Sequence, residues 1–165
     1  MKLLYCLKKQ NENIENIEEI NCAIFKPKIF RYTLPNEAFN FKQWCRRLLF
    51  YFTTRGKYRI FYLTNGDELL HTSYVLPKCR KFPFLKENDY EIGPCYTYPK
   101  HRGKGIYPAV LKSICKNIGE NNTIFYMIVN ENNEASIRGI EKAGFIKCGI
   151  VKTTRIAKKY IRVNE

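Results

Sequence analysis

A strand that runs into Tyr98-Pro99-Lys100-His101-Arg102-Gly103-Lys104-Gly105 and straight on into a helix from Ile106 is the segment that most narrows what this chain can become. Two glycines let the backbone turn tightly and approach a ligand, and the first N–H groups of a helix have no partner inside it, so the turn offers several donors to an anion. A negative charge at a helix start gains about 0.3–1 kcal/mol from the dipole. Arg102 and Lys104 add to that attraction, and a pyrophosphate is the natural guest. Pro108 does no harm in the first turn, where its missing N–H is not needed. The dinucleotide fingerprint would require a third glycine where Pro108 stands, and a P-loop would require a Gly-Lys-Ser/Thr ending that is absent.

The surrounding pattern supplies the frame for that turn. Asp89 to Tyr98 reads as a strand. Ile106 to Ile118 repeats apolar residues at Ile106, Val110, Ile114 and Ile118, a helix with one buried stripe. Thr123 to Val129 is continuously apolar and rich in branched and aromatic residues, as a strand covered on both faces must be. Strand, helix and buried strand form a βαβ unit with parallel strands. A second helix over Asn133 to Ala143 ends at Gly144, a suitable left-handed cap.

Upstream, Leu3 to Leu7 reads as a strand and Cys22 to Leu34 as extended, punctuated by Pro27 and Pro35. Phe39 to Phe52 is an amphipathic helix, with its apolar groups inward and Arg46 and Arg47 on the other side. Tyr58 to Leu63 and Glu68 to Leu76 flank an Asn65-Gly66 hairpin signal, whose two turn positions would both take positive φ. Ile146 to Val151 and Thr154 to Val163 add two further strands.

With 165 residues, 45% of them hydrophobic, one domain over 1–165 with a real core is expected. The formal charge of +14 raises a nucleic-acid role. The lysines and arginines are spread along the chain, which reads as a solvated basic face, and no nucleic-acid partner is expected. Seven cysteines without a Cys-x-x-Cys pair argue against a zinc site and a disulfide framework. No apolar run approaches 18 residues and Lys8 and Lys9 break the first one, so neither secretion nor membrane partnership is expected and a cytoplasmic setting follows.

The turn Arg102-Gly103-Lys104-Gly105-Ile106-Tyr107 after Thr97-Tyr98-Pro99 resembles the coenzyme A loop of the Gcn5-related N-acetyltransferase (GNAT) family. Asn133-Glu134-Ala135-Ser136 through Lys142-Ala143-Gly144-Phe145 is similar to that family's second signature. Both occur in the family's order, separated by one helix and one buried strand. The resemblance implies an α/β (α+β) GNAT fold: a mixed sheet of about six to seven strands with the parallel βαβ unit at its centre and helices flanking it. It also implies acetyl-coenzyme A as co-substrate, no metal, and transfer of the acetyl group to a primary amine.

By matching positions, the resemblance assigns cofactor contacts to Cys95, Tyr96 and Thr97 on the strand. It adds Arg102, Gly103, Lys104, Gly105, Ile106 and Tyr107 in the turn, with Asn133 and Ser136 at the second helix. Tyr107 replaces a usual small residue, which would narrow the pyrophosphate seat. Relatives carry an acid tyrosine where Ile140 stands here, leaving Tyr96 among the substitutes.

An ammonium cannot attack, so a base is useful, and Glu91 stands where some relatives carry theirs. Simple alternation would put Glu91 on the strand face of Gly93, Cys95 and Thr97. His71, on the second hairpin strand, is a candidate for substrate contact or proton relay. The segment from His71 to Pro108 is similar to family members that accompany bacterial surface-polysaccharide genes, which suggests a small-molecule amine acceptor, an amino sugar or its nucleotide-linked form. A protein or peptide amine is the alternative acceptor. A basic nucleic-acid module with a degenerate coenzyme site is the rival of a different class, and a homodimer stays open.

Overall fold

The computed structural model describes residues 2–9, 20–28, 33–34, 37–155 and 159–163. Most of the polar stretch after Lys9, parts of the extended segment before Pro35, and Ile156 to Lys158 inside the last expected strand lie outside them.

Eight strands form one sheet: β1 (Lys2–Lys8), β2 (Ala23–Phe25), β3 (Arg59–Asn65), β4 (Glu68–Pro77), β5 (Tyr90–Thr97), β6 (Ile124–Asn130), β7 (Ile146–Thr153) and β8 (Tyr160–Val163). Among the described residues three α-helices accompany them: α1 (Phe41–Thr54), α2 (Ile106–Asn117) and α3 (Glu134–Lys142). The strand order is β2-β3-β4-β5-β6-β1-β7-β8. This is the expected mixed α/β architecture with a slightly larger sheet, the extra member being the three-residue edge strand β2. β5, α2 and β6 form the parallel βαβ unit.

The sheet separates two cores. On one side Ile106, Val110, Leu111 and Ile114 of α2 and Ile140 of α3 pack with Tyr5, Phe61, Val75, Ile92, Phe125 and Met127. On the other, Phe50 of α1 packs with Leu4, Tyr58, Ile60, Tyr74, Leu76, Phe82 and Tyr126. The helical stripe read from the sequence of α2 therefore points where expected.

Two local readings are corrected. Asn65 still pairs, with Glu68, so the hairpin turns on Gly66 and Asp67, and within the turn only Gly66 has positive φ, at 57°. A glycine-first two-residue turn needs no second left-handed residue.

Helix α1 buries Phe50 and exposes Arg46 as its pattern suggests, but Arg47 is turned inward. Arg47 is its buried anchor, 2% exposed, with Nη1 and Nη2 donating to the Glu37 carboxylate at 2.6 and 2.9 Å and Nε donating to the Tyr74 hydroxyl at 2.9 Å. Two carboxylate oxygens and a hydroxyl occupy three guanidinium donors, and this is what makes burial of the charge tolerable. Phe41, Leu49 and Phe52 face solvent instead.

Candidate functional site

β5 runs beside β6 only at Tyr90↔Phe125 and Glu91↔Tyr126. From Ile92 onward the two parallel strands part. β4 covers the other edge of β5, so the edge facing the gap carries backbone groups that no strand takes up. Both following helices start at the carboxyl ends of these parting strands, α2 after β5 and α3 after β6, where ligands of parallel sheets bind.

At the foot of α2, Gly103 and Gly105 have φ of 76° and 74°, and a Cβ built on either would meet nothing within 4 Å. Among the described residues no hydrogen-bond partner is recorded for the N–H groups of Gly103, Lys104, Gly105, Ile106 or Tyr107. Open space beside unpaired donors at a helix start fits a pyrophosphate. Arg102 is turned back, its Nε donating to the Thr97 carbonyl at 3.0 Å and its guanidinium 5.7 Å from the Tyr96 ring centre. Across the gap, Asn133 caps α3, its Oδ1 accepting from the Ser136 N–H at 3.2 Å.

The face of β5 changes midway. Ser73 pairs with Cys95 and Val75 with Ile92, so Tyr74 alone opposes Gly93 and Pro94. This bulge inserts one residue and reverses the alternation beyond it. Leu76 pairs with Glu91 and Thr72 with Tyr96, which puts Glu91 and Tyr96 together on the α1 side. Cys95, Thr97 and His71 lie on the α2 side. The expectation that Glu91 shares a face with Cys95 and Thr97 is thus overturned; it holds for Gly93, whose built Cβ would lie 2.8 Å from Glu91 Oε1.

Glu91 is 6% exposed and its Oε2 has no hydrogen-bond partner among the described residues. Burial pushes its carboxyl up to about 8, with Lys81 pulling modestly the other way. The Lys81 ammonium lies over the rings of Phe82, Phe50 and Tyr160 at 5.1, 5.4 and 5.5 Å. A carboxyl held near neutrality by a dry setting is the condition of a useful general base. Tyr96 is half-exposed and sits edge-on to Tyr98, ring centres 5.1 Å apart.

His71 is fully buried, with Nδ1 2.7 Å from Thr97 Oγ1 and Nε2 2.7 Å from Ser73 Oγ. Burial lowers its pKa to about 4, so the ring is neutral. The ring is held at both nitrogens and closed to solvent, and through Thr97 it ties β4 to the free end of β5. Cys95 contributes a strand residue whose thiol burial raises to about 12, with hydrogen bonds to Ser73 and Tyr107. Tyr107 points inward, 5.8 Å between its ring centre and that of His71, and burial lifts its hydroxyl far above the ordinary range. It packs inward and does not fill the open space at Gly103 and Gly105, where a narrowing was expected. Ile140, where an acid tyrosine was sought, is a buried core residue.

Three contributors escaped the sequence reading. Ser73 could have been found, since it follows His71 by two and shares its face. Lys81 and Gly139 carried no signal: one comes from an irregular loop, and the other matters only because Tyr107 packs on it. No group of three or more metal-binding side chains is gathered among the described residues.

The FR47-like protein family matches residues 84–156, which span β5 through β7. No curated protein matches the sequence. An acetyltransferase of the GNAT family from Colwellia psychrerythraea superposes with a TM-score of 0.57 and 21% identity, covering 88% of this chain and 52% of its own. A GNAT-family protein from Novosphingobium aromaticivorans gives 0.54 and 11%, covering 90% and 61%. This chain therefore spans between half and two thirds of the length of these two relatives. Parting parallel strands, a glycine loop at the foot of α2 and this shared architecture lead to one assignment: the chain has the GNAT fold, with an FR47-like segment at residues 84–156.

Proposed function

We propose that the chain acts as one domain that transfers the acetyl group of acetyl-coenzyme A to a primary amine of a small molecule, an amino sugar or a nucleotide-linked amino sugar. The observation that carries this reading is the parting of β5 from β6 together with the open space at Gly103 and Gly105 at the start of α2. Gly103 to Tyr107 would hold the pyrophosphate through backbone N–H groups, and Asn133 and Ser136 would border the pantetheine arm from α3. The bound coenzyme supplies the activated acyl group.

The edge of β5 from Ile92 to Thr97 offers fixed backbone groups to the acyl carbonyl, where preorganised donors are most effective. Glu91 receives the proton of the amine, directly or through a water, from the α1 side of the sheet. Tyr96, on the same side of the sheet, would return a proton to the departing thiolate. His71 holds Thr97 and is a positioning residue. The amino-sugar acceptor is supported by the resemblance of His71 to Pro108 to family members that accompany polysaccharide genes.

Calorimetric titration with acetyl-coenzyme A, followed by a screen of amines that includes nucleotide-linked amino sugars, tests both parts. Saturable binding with turnover of an amino sugar is expected. Absence of coenzyme A binding removes the transferase reading, and turnover of peptide amines alone removes the acceptor.

A further inference from the structure

Phe41, Cys45, Leu49 and Phe52 follow one another at spacings of four, four and three, which places them along one line of α1. All are exposed, Phe41 by 64%, Leu49 by 60% and Phe52 by 72%, and Phe39 just before the helix is exposed by 69%. The opposite face of the helix holds Arg47, Phe50 and Thr54 against the sheet. The apolar crest is thus the part of α1 farthest from the core, and it is convex.

Its borders are basic. Lys42 and Arg46 flank the crest on one side and Arg55 follows its end, all three exposed. From Ala38 to Gly66 the chain contains Lys42, Arg46, Arg47, Arg55, Lys57 and Arg59, and no Asp or Glu. Glu37, just before this stretch, is consumed by Arg47. Half-buried Trp44 stacks on Phe41 with ring centres 5.9 Å apart, adding an aromatic of the kind that favours a water–lipid boundary.

We infer that α1 is a docking surface for an anionic lipid bilayer, on which the helix lies flat with its aromatic crest in the headgroup boundary and Lys42, Arg46 and Arg55 among the phosphates. A convex apolar ridge with cationic margins and no acidic residue matches such a surface, which is deformable, extended and negative. A second copy matches it poorly, because ridge against ridge would bring two sets of Lys42, Arg46 and Arg55 together with no carboxylate between them. That no helix among the described residues is long and apolar enough to span a membrane does not bear on a helix that lies on one. The inference is independent of the proposed chemistry, since none of these residues belongs to the gap between β5 and β6.

Vesicle co-sedimentation of the whole chain tests it, with phosphatidylcholine vesicles containing phosphatidylglycerol against pure phosphatidylcholine. The unaltered chain should bind the anionic vesicles and release as salt rises. The Phe41→Ser/Phe52→Ser variant should bind at least about ten-fold more weakly, with its thermal transition retained. Lys42→Glu/Arg46→Glu should also lose binding. No binding of the unaltered chain at low salt overturns the inference. Equal binding by the Phe41→Ser/Phe52→Ser variant also overturns it, because attraction would then come from the diffuse net charge. A dimer in solution that the same two serines dissociate overturns it in favour of a second copy as the occupant.

Discussion

The ring of Tyr107 occupies the space in which a side chain on Gly139 would begin: a Cβ built there would meet Tyr107 Cδ1 at 2.5 Å and Cε1 at 2.9 Å. Tyr107 is the second residue of α2 and Gly139 lies within α3, so this contact sets how closely the two helices approach beneath the glycine loop.

Gly139→Ala should therefore destabilise the fold by about 1–3 kcal/mol, as overpacking does. In a Tyr107→Ala background the same change should be neutral or stabilising by up to about 1 kcal/mol, because alanine is the better helix former. Urea unfolding of the four proteins in the cycle gives the coupling; additive effects would mean the helices adjust freely.

Gly105 caps α2 with φ of 74° and open space at its Cβ position, so a side chain there costs backbone strain and occupies the anion seat. Gly105→Val should lose about 1–2 kcal/mol of stability or more, and Gly105→Asn less, since asparagine tolerates the left-handed region. Coenzyme A affinity should fall in both. Titration calorimetry that finds it intact in both variants would remove the loop from the binding site.

Burial raises the folded pKa of Glu91 to about 8, above its ordinary value of 4.5. Its protonated form contributes stability that is complete below pH 4.5 and disappears as pH rises through about 8. Glu91→Gln should match the unaltered chain at low pH and become the more stable of the two above pH 8. Its acetyl transfer near neutrality should drop about ten-fold or more, with coenzyme A affinity unchanged and the acidic limb of the profile shifted toward the acceptor's own pKa. An unchanged rate and profile, with chemistry limiting, would make Glu91 structural.

His71 behaves in the opposite sense, burial holding its folded pKa at about 4, below its ordinary value of 6.5. Its contribution is complete above pH 6.5 and fades as pH falls through 4, because the unfolded chain takes up the proton first. His71→Gln should flatten this part of the stability profile. Its KM for acetyl-coenzyme A should rise if the bond to Thr97 positions β5; chemical denaturation across pH and steady-state kinetics separate the two effects.

Arg47→Ala leaves Glu37 and Tyr74 without their buried partner and should cost about 3–5 kcal/mol, readable as a lowered melting transition. A loss below 1 kcal/mol would mean that water replaces the guanidinium.

Much of the βαβ unit was legible because α2 and β6 obey simple periods and the glycine turn between β5 and α2 has few alternatives. What misled was phase. Alternation along β5 assumes no extra residue, and the bulge opposite Tyr74 inserts one, moving Glu91 and Tyr96 to one face and Cys95 and Thr97 to the other. The period of α1 was read correctly while the place of Arg47 was not, since an arginine with Glu37 and Tyr74 as partners takes the inward face beside Phe50 and leaves Phe41, Leu49 and Phe52 outside. Partners so distant in sequence leave no trace in a local pattern.

The position of β1 bears on how the molecule is assembled in time. Lys2 to Lys8 is flanked by β6 and β7, with Lys8 opposite Ile124 and Cys6 opposite Ile146. β1 thus waits for both neighbours until the residues through Thr153 have been made. Such long-range pairing slows folding and leaves two bare edges exposed meanwhile. Leu4 and Tyr5, which end up in opposite cores, would be the residues most in need of shelter during synthesis.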